Sequence, residues 1–426
     1  MKSPLILSTF IFILLVIISS CSLTAVADND HEDFLECLTE RYHNSISNVT
    51  YTPNNSSYAS ILRFSIHNLR FTSQSTPRPQ VIITPEHESQ VPPVVHCARE
   101  NDMEIRIRSG GHDYEGLSYV SQVPFLILDL INLSEISVDP ESKTAWVGSG
   151  ATLGSLYYRI AERSPVLGFP AGICPTVGTG GHISGGGYGR LLRKYGLAAD
   201  NVIDARIVDA NGRILDRQSM GEDLFWAVRG GGGSSFGVIL AWQVKLVDVP
   251  ERVTVFSVTR LTREDCVEMS WIESILYFAG FPIESREVLL NRTQPNLTYL
   301  KVKSDYVQRP IPEHALEGLW RLFYEPEGEE AAIVLIPYGG MMDNISESSI
   351  PFPHRAGNMY AMQDYVSWRE DNALNSDRYI RWIRRLYSYM APYVSSSPRA
   401  AYVNYRDLDI GVNGRAGPKK FEALAK

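Results

Sequence analysis

Three glycine clusters fall within about 130 residues of one another: Ser109-Gly110-Gly111-His112, the run holding Gly178, Gly180, Gly181, Gly185, Gly186, Gly187 and Gly189, and Arg229-Gly230-Gly231-Gly232-Gly233-Ser234-Ser235. Without a Cβ, successive backbone N–H groups can approach a ligand closely and take positive φ, which makes an anion-binding nest. A single cluster is commonly a tight turn, whereas three in one domain point to a large, phosphate-bearing ligand. None spells G-x-G-x-x-G, because Ile183 stands where Gly178-x-Gly180 would need its third glycine, and no G-K-[ST] follows any cluster. A dinucleotide site of the Rossmann kind and a P-loop are both disfavoured.

Two potential nucleophiles border the clusters. His112 directly follows Gly110-Gly111, and Cys174 lies in Ala171-Gly172-Ile173-Cys174-Pro175-Thr176-Val177, just before the longest run. Taken singly, a histidine is usually a surface hydrogen bonder and a lone cysteine usually core. Beside phosphate nests they read as groups aimed at a cofactor: an imidazole nitrogen can add to the 8-methyl group of an isoalloxazine and a thiolate to ring carbon six.

The remaining composition narrows the setting. Lys2 is the only charge in the first 27 residues; beyond it stand 39 basic and 48 acidic side chains with no Lys/Arg run, so nucleic acid is not an expected partner. Lys2, the apolar run Pro4 to Ile18 and Ala25-Val26-Ala27 before Asp28 have the form of a cleaved signal peptide over residues 1–27, and the run is short for a membrane span. Seven N-x-S/T sequons, at Asn48, Asn54, Asn55, Asn132, Asn291, Asn296 and Asn344, agree with a secretory route. In an oxidising compartment Cys37 and Cys97 are the natural disulfide pair, the alternative being two buried thiols; Cys174 and Cys266 stay unpaired. No C-x-x-C pair exists and no metal is expected.

From about Thr76 to Pro250 strands and helices alternate without a regular βαβ array, and there are no internal repeats. Strands are expected at Val81–Ile83, Ile105–Arg108 and Phe125–Leu130, a helix opening at Thr84-Pro85-Glu86, and one capped by Thr152. Asn211-Gly212 lies between two β-patterned runs as a hairpin turn. After Pro250 a strand, Val253–Val258, a helix, Asp265–Phe278, and a strand, Ala331–Ile336, are expected, with a helix capped by Ser376 carrying Ile380, Ile383, Tyr387 and Met390 on its apolar face.

The sequence resembles the plant berberine bridge enzyme-like proteins, members of the FAD-linked oxidase family that includes reticuline oxidase-like and cannabinoid synthase-like enzymes. The resemblance runs from about residue 30 to residue 411 and is carried by Arg108 to Gly116, Cys174 to Gly189, Gly196-Leu197-Ala198-Ala199-Asp200-Asn201-Val202, Pro351-Phe352-Pro353-His354-Arg355-Ala356-Gly357-Asn358 and Asn404-Tyr405-Arg406-Asp407-Leu408-Asp409. It implies an α+β fold: a two-part FAD-binding domain of the PCMH (vanillyl-alcohol oxidase-like) type at residues 28–75 and 76–250, a substrate domain with an antiparallel sheet at 251–395, and a C-terminal berberine-bridge-type segment from 396. It implies FAD held by two covalent bonds, to His112 and Cys174. The cofactor site would be completed by Arg108, Ser109, Gly110, Gly111, Asp113, Thr176, Val177, the glycines from Gly178 to Gly189, His182, Ser184, Asn201, Val202 and Val238.

By the same resemblance Tyr405 is the catalytic base with Gln363 beside it, and Tyr114 and Tyr188 face the substrate. Ala361 stands where some relatives carry a lysine that would activate the base. Val177 is smaller than the Leu or Ile of relatives that behave as dehydrogenases, which favours oxygen as acceptor. Two departures are expected as well: relatives carry a block of the substrate domain between the positions of Arg260 and Leu261, and a C-terminal stretch beyond Gly411. The expected activity is an extracellular oxidase (cell wall, apoplast or vacuole), acting as a monomer on an alcohol, sugar or monolignol-like donor and reducing O2 to H2O2. The alternatives are an oxidative cyclase of alkaloids or terpenophenols and a catalytically impaired flavin binder.

Overall fold

The structure is a computed structural model that describes residues 29–42, 46–232, 235–256, 266–294, 297–369 and 373–411. The expected signal peptide and the junction at residue 260 lie outside the described residues.

Apolar strands in the first half form two sheets. Strands β1 (Thr50–Tyr51), β2 (Val81–Ile83), β3 (Glu104–Arg108) and β4 (Phe125–Asp129) order as β1-β2-β4-β3, with β2 and β3 parallel to β4. The central strand β4 is buried throughout, as a parallel strand covered on both faces must be. A second, antiparallel sheet orders as β5-β6-β10-β8-β9, from Ile136–Asp139, Thr144–Gly148, Val238–Lys245, Val202–Val208 and Ile214–Leu215; β7 (Leu167–Gly168) and β11 (Val247–Asp248) pair as a short ribbon beside it. Asn211-Gly212 turns between β8 and β9, where Ile207 faces Leu215 and Gly212 takes φ +71°.

Helix α1 (Asn29–Tyr42) and helix α2 (Val91–Glu100) pack one face of the four-stranded sheet: Phe34, Leu38, Val91 and Val94 share a core with Val81, Ile83, Leu126 and Leu128, and with Val208, Val238 and Leu240 of the second sheet. The Cys37–Cys97 disulfide ties α1 to α2. The helix expected to open at Thr84-Pro85-Glu86 starts later. Thr84 N donates to Val49 O in strand-like fashion, and the capping box between His87 and Gln90 begins the turn that leads into α2, whose prolines Pro92 and Pro93 sit in its first turn where a missing N–H is harmless. Helix α3 (Leu153–Arg163) is capped by Thr152 as expected and buries Leu153, Leu156, Tyr157 and Ile160. A short helix α4 (Thr179–Ser184) carries the middle glycine run.

In the second half, β12 (Arg252–Val255) pairs antiparallel with β13 (Val267–Ser270). The helix expected over Asp265–Phe278 therefore starts only at Trp271: helix α5 (Trp271–Ala279) is preceded by a paired strand, and the Ser270–Glu273 capping box sets its N-terminus. A three-stranded antiparallel sheet orders as β14-β16-β15, from Tyr299–Val307, Tyr360–Trp368 and Ala331–Pro337. One face packs helix α6 (Glu313–Phe323) and helix α7 (Ala373–Met390): Val307, Met362, Val366 and Trp368 meet Leu319, Trp382, Ile383, Leu386 and Met390. Ser376 lies inside α7 rather than capping it, because its hydroxyl accepts a 3.1 Å bond from Trp368 Nε1. The apolar stripe is rotated accordingly, with Trp382 and Leu386 at its centre and Ile380 and Tyr387 at its margin. No described helix is long and apolar enough to cross a membrane.

Candidate active site

The three glycine clusters converge. A Cβ on Gly110 would stand 2.3 Å from Gly178 N, so the first two clusters touch backbone to backbone and only glycine fits on both sides. The third folds onto the second: Gly230 N and Gly232 N each donate to Ser184 O at 2.9 Å. Ser109 Oγ donates to Ser149 O, which anchors the first cluster to the five-stranded sheet.

The two expected attachment residues meet at one hydroxyl. His112 Nε2 lies 2.9 Å from Thr176 Oγ1, and Cys174 Sγ lies 3.9 Å from the same oxygen. Thr176 donates its proton to Gln294 Oε1 at 3.2 Å, which leaves its oxygen to accept from His112. In that arrangement His112 Nε2 carries the ring hydrogen and Nδ1 keeps its lone pair. Burial, then the neighbouring His67, hold the His112 pKa well below the ordinary histidine value, so the ring is neutral and nucleophilic. His67 packs against it at a tilt of 31° with centroids 4.0 Å apart and donates from Nε2 to Gly110 O. Cys174 is exposed by accessible area, so a ligand can reach it; protein crowding around the sulfur still raises the thiol pKa, against hydrogen bonds to Thr176.

Other expected cofactor residues divide into two groups. Asp113 Oδ1 accepts from Glu115 N and Leu117 N and shapes the loop after His112. His182 Nε2 accepts from Gly172 N at 3.1 Å, and desolvation lowers its pKa to about 4. Val177 N bonds Cys174 O in the turn between the nucleophile and the glycine run. The Arg108 guanidinium is fully buried and donates to Asp129 Oδ2 and to the carbonyls of Ile61 and Leu62, which fixes β3. Asn201 likewise spends its amide on Tyr195 O and Leu197 O, while Val202 and Val238 are buried at the starts of β8 and β10.

The expected substrate and catalytic residues come together from four distant segments. Gln363 Nε2 donates to Tyr114 Oη at 2.9 Å, and Tyr188 and Tyr405 share a short hydroxyl–hydroxyl hydrogen bond. Burial first, and then the neighbouring phenols, raise the Tyr405 pKa well above the usual value; burial raises Tyr114 and Tyr188 too. Ala361 is buried on β16 and supplies no charge.

Sequence reasoning missed the residues that seat the strap carrying Tyr405. Asn404 Nδ2 donates to His182 O and to Tyr402 Oη, and Tyr402 Oη accepts from Gly187 N. A Cβ on Gly185 would stand 2.0 Å from Asn404 Oδ1, so the strap lies directly on the glycine run. The Asn404-Tyr405-Arg406-Asp407 motif was the signal available for Asn404; nothing local marks Tyr402 or His67.

This donor set fits a flavin: a neutral imidazole and a reachable thiol face one hydroxyl, beside three converging glycine clusters, and the two ring positions they would bond lie on one edge of the isoalloxazine. The family described as "FAD binding domain" matches residues 79–217. Tetrahydroberberine oxidase of Berberis wilsoniae is 46% identical over 480 positions, covering 95% of this chain and 90% of the relative. That alignment is longer than the 426 residues of the chain, so the relative carries internal residues that are missing here. Berberine bridge enzyme-like 28 of Arabidopsis thaliana is 46% identical, covering 95% of this chain and 90% of the relative. The solved structure of BBE-like #28 from the same plant aligns with a TM-score of 0.84 at 43% identity, covering 92% of each chain. The chain belongs to the berberine bridge enzyme-like family of FAD-linked oxidoreductases.

Proposed function

We propose that the chain is a secreted, monomeric oxidase that holds FAD through both His112 and Cys174, takes hydride from an uncharged hydroxylated donor (an alcohol, a sugar or a monolignol-like molecule) and passes the electrons to O2 to form H2O2. The observation that carries the reading is the convergence of His112 and Cys174 on the Thr176 hydroxyl. Bound there, the flavin supplies the two-electron acceptor. The free Nδ1 lone pair of His112 and the Cys174 sulfur are the atoms that bind it, with the glycine clusters offering backbone donors to its phosphates.

Tyr114, Tyr188, Tyr405 and Gln363 orient the donor. They are phenols and an amide, able both to donate to and to accept from a donor hydroxyl. Burial keeps Tyr405 protonated at neutral pH. In that form its hydroxyl holds the donor's O–H by a hydrogen bond and orients it, since only the phenolate could take up the donor's proton. The Cys37–Cys97 disulfide supports an oxidising compartment. The internal residues missing relative to the Berberis enzyme favour one second reading, a flavin-binding chain of impaired activity.

Acid precipitation of the purified protein tests the attachment. Colour should stay in the pellet, His112→Ala and Cys174→Ala should each retain it, and the double variant should release it. Release from the unmutated protein would overturn the bicovalent reading, and H2O2 formed on any donor would exclude the impaired one.

A further inference from the structure

Two deeply buried lysines lie where three segments meet. Lys301 and Lys303 of β14 are each 2% exposed. Lys301 Nζ contacts the Glu115 carboxylate and lies 2.6 Å from Asp407 Oδ1; Lys303 Nζ contacts the other Asp407 oxygen and lies 2.8 Å from Asp409 Oδ2. Arg384 closes the outer side on Asp409. Glu115 adjoins Tyr114 and follows His112 by three residues, while Asp407 follows Tyr405 by two. The strand that pairs with β14 is β16, with Ser304 opposite Gln363.

Among the described residues, Lys301 is thus the one side chain paired with carboxylates on both the Tyr114 and the Tyr405 segments. A second, neutral tie parallels it: Asn68 Nδ2 donates to Tyr114 O at 2.9 Å and to Leu300 O at 3.2 Å. Ammonium–carboxylate pairs this dry hold their geometry tightly, because separation leaves an uncompensated buried charge. We infer that Lys301 is a positioning residue that sets the His112–Tyr114 loop and the Tyr405 strap in register against the sheet carrying Gln363, and so couples flavin attachment to assembly of the substrate site. The inference rests on the proposed function for the identity of what is being aligned.

The test uses the full-length flavinylated protein with Lys301→Met, the charge-balanced pair Lys301→Met/Glu115→Gln, and Lys301→Arg. In the balanced pair, hydrogen exchange should speed up in peptides covering 112–117 and 402–409 and stay unchanged in α7 and β16. Peptide mass analysis should show attachment at Cys174 retained and attachment at His112 reduced several-fold. With cinnamyl alcohol as the probe, kcat should fall by about 10- to 100-fold and KM should change far less, as misplacement of reacting groups by about 1 Å would produce. Lys301→Arg should recover part of each effect. Unchanged exchange in the two segments, or an exchange increase spread over the whole substrate domain in every variant including Lys301→Arg, would overturn the inference. Absence of flavin on His112 in the unmutated protein would instead refute the attachment reading, and the exchange result, which needs no flavin, would still decide the role of Lys301.

Discussion

Gln363 and Tyr114, 249 residues apart in the chain, are joined by a 2.9 Å hydrogen bond in which the amide donates to the phenol oxygen. The contact spans the FAD-binding part and the substrate sheet, so it exists only when the two are docked. Gln363→Leu removes the donor and lets the Tyr114 ring shift. Flavin reduction by an alcohol donor should slow by about 10- to 100-fold, with a smaller change in KM, as expected when orientation is lost. Stopped-flow reduction of the flavin measures both.

Thr176→Val should slow covalent attachment at His112. The hydroxyl fixes the ring hydrogen on Nε2 and leaves Nδ1 free; without it, both tautomers are available and the ring orientation is looser. The time course of acid-stable flavin at His112, followed by peptide mass, should be slower by roughly tenfold or less, a loss on the scale of one hydrogen bond.

Val177→Leu should slow reoxidation by O2 while dye-linked turnover stays nearly constant. Val177 sits in the turn between Cys174 and the glycine run, and under the proposed function a longer side chain there would leave less room for oxygen beside the reduced ring. Equal reoxidation rates would remove Val177 from the mechanism.

Asp364 should make the protein less stable as pH rises through neutrality. Its carboxyl oxygens have no hydrogen-bond partner among the described residues, and burial, then Asp305, push its pKa up to about 8, against Arg399 and Lys303. The folded state holds this proton more tightly than the unfolded chain, so the contribution of Asp364 to stability is complete below about pH 4 and is lost progressively up to about pH 8. Asp364→Asn should raise the unfolding free energy at pH 7.5 by an amount on the order of 2–4 kcal/mol and change it little at pH 4. Urea midpoints at the two pH values provide the comparison.

Strand β15 is an edge among the described residues, pairing with β16 alone, and it exposes Val334 (47%) and Leu335 (54%). An apolar edge invites strand pairing between molecules. Leu335→Lys should raise the concentration at which the protein aggregates, as read by light scattering, and alter stability by no more than about 0.5 kcal/mol.

Local chemistry was enough to read much of this protein from its sequence. Buried strand β4, the Asn211-Gly212 hairpin and the Thr152 cap depend on neighbours a few residues away, and the glycine clusters flanked by His112 and Cys174 announced the ligand class through backbone access alone. Errors arose where two local signals competed. Thr84-Pro85-Glu86 looked like a helix start until His87 and Gln90 supplied the better cap, and the helix before Phe278 lost its first turn to the pairing of β12 with β13. Arg108 shows the tertiary share at the site: only the fold brings Asp129 and the carbonyls of Ile61 and Leu62 to its buried guanidinium. The working arrangement itself is tertiary. Tyr114, Gln363 and Tyr405 come from three separate segments, and their alignment depends on contacts such as Lys301 with Glu115 and Asp407, whose partners stand 186 and 106 residues away. No pattern along the chain encodes such distances. They are set when burial removes water from the charges and only one docking of the segments leaves every charge paired.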